Sequence, residues 1–173
     1  MLSAGIEIGT DVIKRANDVR DNKADFIVFK IKDRKAVHWV ESFPPDRGLP
    51  LVDPLNRGLP LVDPETDHDI EMYKNDTDKY ANWPDRVYPR FLSTLTKQSS
   101  EPMYVVLDFK YTIDSRKCSK LFFIGWCPGK ASVRDKMLFA STFTQFADTI
   151  NIPIRITAHN QSDLEYSELY NRV

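Results

Sequence analysis

The feature that most constrains the fold is an apolar run that stops at a proline and leads into a helix. Residues 121–124 are continuously aliphatic or aromatic, a pattern typical of a central strand covered on both faces. Pro128 ends strand pairing because it has no N–H to donate. The residues after it carry apolar side chains at helical spacing. The sequence therefore predicts a buried strand followed closely by a helix.

The predicted helix has two apolar arcs rather than one. At 100° per residue the arcs lie nearly opposite each other. They consist of Leu138, Ala131 and Phe139 on one side and of Val133, Ala140 and Met137 on the other. Arg134 and Lys136 flank the second arc. One arc can face the core, and an exposed apolar strip between two cations indicates a surface for a partner.

The other elements follow from periodicity and turn residues. Helices are predicted at residues 11–21 with Thr10 or Asp11 as N-cap, at 86–96, at 143–150 in continuation of the central helix, and at 164–170 with Ser162 as N-cap. Strands are predicted at residues 26–31, 36–43, 103–113, 121–126 and 152–158. Helices at both ends of a strand-rich middle predict an α/β fold: one sandwich domain, in which helices flank a central mixed β-sheet on both faces.

Charge is nearly balanced overall but unevenly distributed. The chain of 173 residues has a net charge of −1, so no global field attracts nucleic acid, and none is predicted as a partner. Residues 114–140 carry six basic side chains against two acidic ones, whereas residues 44–90 carry ten acidic against six basic. This asymmetry is common in proteins, but it also suits steering of an acidic partner toward one face.

The cysteines and histidines predict neither a disulfide, nor a metal site, nor an enzyme. Cys118 and Cys127 flank one predicted strand and are nine residues apart, about 30 Å at roughly 3.3 Å per residue, too far to pair while that strand is formed. A reducing, intracellular compartment is expected, and no leader or membrane-spanning run is recognised. Cys127 with His159 is a conceivable nucleophile and base, but a buried structural thiol is commoner. No phosphate loop or other catalytic motif is present, and no cofactor is predicted.

A duplicated segment interrupts the pattern. Arg-Gly-Leu-Pro-Leu-Val-Asp-Pro occurs at residues 47–54 and again at 57–64. Two prolines in each copy exclude an internal helix or a central strand. We interpret residues 44–85 as an atypical Pro-rich and acidic insertion within a single domain spanning 1–173. It is predicted to be an extended surface loop, with a second binding element as the alternative.

The run from residue 120 to 141 resembles the ADF/cofilin family of actin-depolymerising proteins. The matching positions are Trp126-x-Pro128, Ala131 and Arg134-x-Lys136-Met137-x-Phe139-Ala140-Ser141. The resemblance extends to residues 3–6, 26–31, 104–111 and the closing helix, and it fails between about 43 and 88.

This resemblance implies a function and two binding surfaces. The family binds monomeric and filamentous actin and promotes filament depolymerisation and severing in the cytoplasmic actin cytoskeleton. We expect the same activities and location here, and we expect the protein to be a monomer. The residues matching the surface that contacts both actin forms are Ser3, Ala4, Gly5, Ile6, Arg134, Lys136, Met137 and Ser141. Those matching the filament-only surface are Arg116, Lys117, Lys120 and Arg172.

Several positions depart from the family pattern. Cys118 stands where the family commonly has Arg, and Asn171 where it has Glu. Gly129 replaces an Asp that would cap the central helix. Ser3 matches a serine that kinases phosphorylate in many members, and an added phosphate would repel an acidic partner. Leu2 stands where the family has a small residue.

Two alternatives remain open. Cys118 and Asn171 favour a member of the same fold that binds monomers or a filament-nucleating complex without severing. The second alternative is a phosphoinositide-binding module, a lipid interaction that the family resemblance also implies. Its predicted patch consists of Lys117, Lys120, Lys130, Arg134 and Lys136.

Overall fold

The computed structural model describes residues 5–43, 83–97 and 100–173. In this part of the chain the helices are α1 (Thr10–Arg20), α2 (Trp83–Thr96), α3 (Val133–Ile150) and α4 (Tyr166–Tyr170), with a 3₁₀ turn at Gln161–Leu164. The strands are β1 (Phe26–Lys32), β2 (Ala36–Phe43), β3 (Met103–Ile113), β4 (Arg116–Trp126) and β5 (Ile154–Ala158). The duplicated segment lies outside the described residues, so its predicted loop character stays a prediction.

The strands form one mixed sheet in the order β2-β1-β3-β4-β5. Neighbours are antiparallel except β4 and β5, which run parallel. This arrangement confirms the predicted mixed sheet and the interior position of β4. Strand β4 is longer than predicted, because the connection from β3 is only Asp114-Ser115, both with positive φ. Such a two-residue turn matches the twist of the paired strands.

Helices cover both faces of the sheet, as the sequence predicts. On one face α1 and α3 pack over alternate residues of β1, β3 and β4, around Phe29, Tyr104 and Phe123. On the other face α2 and α4 pack around Trp83 and Phe109. Alternation along β3 and β4 explains this, since successive side chains point to opposite faces.

Helix α3 is held against β4 by a glycine. A Cβ on Gly125 would lie 2.5 Å from Phe139 Cζ and 2.8 Å from Phe143 Cε2. The Phe139 ring is buried and stacks on Tyr104 with 4.9 Å between centroids. Gly125 therefore sets how closely the helix approaches the sheet, and with it the position of the exposed helix face.

The structure corrects several predicted caps and boundaries. Helix α3 begins at Val133 with Ser132 as N-cap, whose hydroxyl accepts a hydrogen bond from Asp135 N at 3.1 Å. The predicted capping position at Gly129 was wrong, because it precedes the actual cap by three residues. Gly9 caps α1 without a side-chain bond, which replaces the predicted Thr10 or Asp11.

Near the C-terminus the chain forms two short pieces instead of the predicted helix 164–170. Asn160 and Asp163 form a capping box around the 3₁₀ turn Gln161–Leu164, and the predicted cap Ser162 lies inside this turn. Helix α4 then starts at Tyr166. Strand β5 begins at Ile154 and α2 at Trp83, two residues later and three residues earlier than predicted. Among the described helices, none combines the length and apolar character needed to cross a membrane.

Candidate functional site

The first candidate surface is the solvent-facing side of α3. Val133 is 75% exposed and Met137 68% exposed, values unusual for large apolar side chains in the described part of the fold. Phe139, by contrast, is buried. The two predicted arcs of this helix are therefore present, one in the core and one in solvent. The exposed residues Val133 and Met137 are called the apolar strip below.

Arg134 and Lys136 flank the apolar strip as predicted, but they are held differently. Arg134 is exposed, whereas Lys136 is half-buried and its Nζ donates a hydrogen bond to the Gly129 carbonyl at 2.9 Å. Lys136 also lies near Cys127. Burial raises the pKa of the Cys127 thiol, and the Lys136 charge offsets part of that rise. The ammonium of Lys136 is therefore already positioned at the start of the helix.

Ser141 lies one turn beyond Met137 on the same helix. Its hydroxyl bonds back to the carbonyls of Met137 at 2.9 Å and Leu138 at 3.1 Å. This local bond satisfies the hydroxyl within the helix. Ser141 is exposed and extends the polar border of the apolar strip.

The N-terminal segment lies beside the turn between β1 and β2. Glu7 forms a parallel bridge with Ala36, its N–H donating to Lys35 O at 2.8 Å and its carbonyl accepting from Val37 N at 2.9 Å. Gly5 is exposed with φ of 69°. Ile6 is only 3% exposed, so its side chain anchors the segment in the core and is not a surface contact. The predicted contacts Ser3 and Ala4 lie outside the described residues.

The turn between β1 and β2 joins this segment to the helix, a connection that the sequence analysis missed. On one side the turn carries the backbone bonds to Glu7; on the other, Arg34 Nε lies 3.5 Å from Asp135 Oδ1 in the first turn of α3. Both side chains are about half exposed, so this ion pair contributes little to stability. The sequence does show a charged turn between β1 and β2. No neighbouring residue in the sequence indicates that Arg34 pairs with Asp135.

The second candidate surface is the outer end of the β3–β4 hairpin. Arg116 and Lys120 are exposed and share the sheet face of α4, because alternate residues of β4 point the same way. Lys117 is exposed on the opposite face, so the predicted set is divided. Cys118 lies between Arg116 and Lys120 and is partly buried.

Helix α4 brings the C-terminus to this hairpin. The Tyr170 ring packs edge-on against Tyr111, with 5.9 Å between ring centroids. The Tyr166 hydroxyl donates to Lys110 O at 3.1 Å. Arg172 follows α4 and is exposed. The structure therefore places Arg116, Lys120 and Arg172 on elements that pack together, which the sequence alone did not show.

The predicted lipid patch is not continuous. Lys117 and Trp126 are nine residues apart on β4, a distance of about 30 Å at roughly 3.3 Å per residue. Lys117 and Lys120 belong to the hairpin end, whereas Lys130, Arg134 and Lys136 surround the start of α3. Two separate basic surfaces replace the single predicted patch.

The conceivable Cys127–His159 pair is arranged differently from a nucleophile and base. His159 Nδ1 lies 2.9 Å from the Cys127 backbone carbonyl, which can only accept, so this nitrogen carries its proton toward the carbonyl. Within residues 5–43, 83–97 and 100–173, no cluster of three His, Cys, Asp or Glu side chains is arranged to hold a metal ion. The two candidate surfaces, on α3 and at the end of the β3–β4 hairpin, are therefore interpreted as binding surfaces.

The described residues thus form a five-stranded mixed sheet with helices on both faces and a cation-flanked apolar strip on α3. The family model for cofilin/tropomyosin-type actin-binding proteins matches residues 63–173, which is more than half of the chain. The chain therefore belongs to the ADF/cofilin family, and the resemblance noted in the sequence is confirmed.

Among curated relatives, actin-depolymerizing factor 1 of Arabidopsis thaliana is 35% identical over 86 residues, covering 47% of this chain and 60% of the relative. The chain thus spans about 60% of the length of this relative. Among solved structures, actin depolymerization factor 2 of Plasmodium berghei has a TM-score of 0.68 at 18% identity, covering 99% of this chain and 96% of the other. Streptomyces griseoflavus cofilin has a TM-score of 0.65 at 18% identity, covering 96% of each chain. At these identities the structural matches establish the fold alone.

Proposed function

We propose that this protein binds actin monomers and filament sides and promotes filament disassembly in the cytoplasm. The observation that carries the proposal is the apolar strip Val133 and Met137, exposed on a helix whose other face is locked into the core. Arg134 and Lys136 border the strip. Desolvated apolar contacts ringed by cations suit an acidic partner such as actin. Family membership and the name of the Arabidopsis relative support the same partner.

The two surfaces suggest two separate roles in actin binding. The α3 strip, with the N-terminal segment, would contact one actin subunit in monomers and filaments alike. The hairpin surface of Arg116, Lys120 and Arg172 lies at the opposite end of β4 and would contact a second subunit, which exists only in filaments. A protein that binds one filament conformation better than another shifts the filament toward it. Disassembly follows if the favoured conformation has weaker subunit contacts.

Co-sedimentation with preassembled actin filaments tests the α3 surface. Wild-type protein should move actin from the pellet to the supernatant, and the variant Arg134→Ala/Lys136→Ala should leave it in the pellet. The matched control is Lys14→Ala/Lys97→Ala, which removes the same charge from exposed positions on α1 and after α2. Equal actin release by both double variants would contradict the assignment to α3.

The hairpin surface has its own test. Arg116→Ala/Lys120→Ala should weaken co-pelleting with filaments about tenfold or more, while monomer binding, measured by fluorescence of labelled actin, stays within about twofold. Cys118→Arg should strengthen filament binding by adding a third cation between the other two. A parallel loss of monomer and filament binding in the first variant would mean that the surfaces are not separate.

A monomer-binding protein without severing activity is the second candidate. Cys118 and Asn171 favour it, because both replace charged residues of the family pattern on the hairpin surface. In this case wild-type protein would bind labelled monomers but neither pellet with filaments nor shorten them. Regulation by phosphorylation of Ser3 is compatible with either function, since added negative charge would repel acidic actin. Phosphoinositide binding would use Lys130, Arg134 and Lys136 and would compete with actin.

A further inference from the structure

A cavity of about 290 Å³ opens between the β1–β2 turn, the start of β3 and the first turns of α3. It is lined by charged residues from separate elements around an apolar floor. Its volume is near the lower limit of small-molecule sites. It lies on the flank of α3 that carries Asp135 and Leu138, away from the apolar strip.

Two ion pairs between elements form its walls. Lys30 Nζ lies 2.6 Å from Glu101 Oε2, and Arg34 Nε lies 3.5 Å from Asp135 Oδ1. Both cations of the lining are therefore paired already. The lining also includes Asp33, so three carboxylates face two cations and the cavity carries a net negative charge.

Asp33 is the charged lining residue that takes part in neither ion pair. It occupies the β1–β2 turn with φ of 52° and is exposed. Among the described residues, none forms a hydrogen bond or ion pair with its carboxylate. The cavity thus presents one carboxylate ready to receive a cation at its edge.

The floor is apolar. Its accessible part consists of the half-buried side chains of Ile31, Pro102 and Leu138, with the buried rings of Phe139 and Tyr104 beneath them. The Tyr104 hydroxyl donates to the Phe139 carbonyl at 2.7 Å, so the ring of Tyr104 is fixed and its polar atom is already satisfied. An apolar body of a few carbon atoms fits such a floor better than a polar one.

We propose that this cavity binds a small amphipathic amine, with its ammonium group on Asp33 and a small aryl or branched alkyl group on Ile31, Pro102 and Leu138. The expected ligand class is arylalkylamines. The dissociation constant should be about 1 mM for so small a ligand. This inference does not depend on actin binding and is tested on the protein alone.

The test is an NMR titration of the isotope-labelled full chain with phenethylamine, and with 2-phenylethanol and 3-phenylpropionate as neutral and anionic probes of similar shape. The amine should shift the amide signals of Ile31, Asp33, Asp135 and Leu138 saturably. The alcohol should bind about fivefold more weakly, and the anion more weakly still, because only the amine pairs with Asp33.

Asp33→Asn should reduce amine affinity to that of the alcohol. Asn also tolerates positive φ, so the turn is retained. Asp114→Asn is the matched control, because Asp114 has φ of 48° in the other hairpin turn, away from the cavity. The proposal is overturned if the amine gives no saturable shifts, if the shifts occur elsewhere, or if amine and alcohol bind equally well to wild type.

Discussion

At the scale of single residues, the most unusual feature is a group of three charges inside the fold. Lys110, Asp108 and Asp25 are all buried, with Lys110 Nζ 2.6 Å from Asp108 Oδ2 and 3.4 Å from Asp25 Oδ1. Burial alone lowers the pKa of Lys110, but hydrogen bonds and charges from Asp108 and Asp25 outweigh it and raise the pKa above 10.5. The lysine therefore stays charged and compensates two buried carboxylates.

Replacing Lys110 should be strongly destabilising. Lys110→Met removes the buried cation that both Asp108 and Asp25 contact, and removing one partner of a buried ion pair costs about 3–5 kcal/mol. Urea unfolding monitored by circular dichroism measures the free energy of unfolding. Lys14→Met, at an exposed position on α1, should change it by less than about 0.5 kcal/mol. A loss below about 1 kcal/mol in Lys110→Met would show that the carboxylates are neutralised in another way.

At the scale of elements, the contact between α3 and β4 decides where the candidate surface lies. Gly125 allows the rings of Phe139 and Phe143 to approach the strand, and Ser132 begins the helix. Both positions fall within the family-like run, yet neither role was visible in its periodicity. The position of the apolar strip thus depends on the absence of a side chain at Gly125 and on the helix N-cap at Ser132.

Gly125→Ala should displace α3. The new methyl group overlaps the Phe139 ring, which is buried and cannot rotate away easily, so a loss of about 1–3 kcal/mol is expected. Actin binding should weaken too, since the strip moves with the helix. Gly129→Ala is the control, because a Cβ there meets no atom within 4 Å. Partial recovery of stability in Gly125→Ala/Phe139→Leu would identify the Phe139 ring as one cause, because Phe143 Cε2 still lies 2.8 Å from the new Cβ.

The cap gives a second prediction at this scale. Ser132→Ala should cost about 1 kcal/mol, because the amide of Asp135 loses its side-chain acceptor. Gly129→Asp restores the family residue but should not stabilise the helix, since Gly129 lies three residues before the cap. Thermal unfolding of the two variants distinguishes these positions. Stabilisation by Gly129→Asp would contradict the observed helix start.

At the scale of the whole molecule, buried tyrosines make stability sensitive to alkaline pH. Burial raises the pKa of Tyr88, Tyr104, Tyr111 and Tyr166 above 10.0. A raised pKa means that the folded state holds the proton more tightly than the unfolded state. The corresponding stability is fully present below pH 10.0 and is lost as the pH rises through the folded values. The raised pKa of Lys110 has the same effect, since its contribution to stability is lost as the pH rises above 10.5.

We therefore expect cooperative alkaline unfolding above about pH 10. The part of the tyrosinate absorbance that belongs to Tyr88 and Tyr104 should appear together with the change in circular dichroism, because burial of these two hydroxyls raises their pKa most strongly. Tyr104→Phe removes one such group and its 2.7 Å bond to Phe139 O. It should cost about 1 kcal/mol at neutral pH and make the alkaline loss less steep. Ionisation of Tyr104 well below the unfolding transition, measured as the absorbance that Tyr104→Phe removes, would contradict this account.

Much of the fold was predictable because local periodicity reports which side of an element is buried. The apolar run in β4 and the two arcs of α3 each depend on neighbouring residues, and both were confirmed. Helix ends were less predictable. Ser132, Gly9 and Asn160 were missed as caps, because several nearby residues can cap equally well until packing selects one.

The sequence by itself determined the family, the mixed sheet and the cation-flanked strip on α3, since spacing along a helix or strand is a local property. Only the tertiary structure decided that Lys136 bonds to Gly129, that Ile6 is buried, and that Lys117 faces away from Arg116. It also placed Arg172 beside the hairpin and Asp33 at the edge of a cavity. Such facts depend on residues distant in sequence, whose contacts are selected by the packing of helices on the sheet rather than by local pattern.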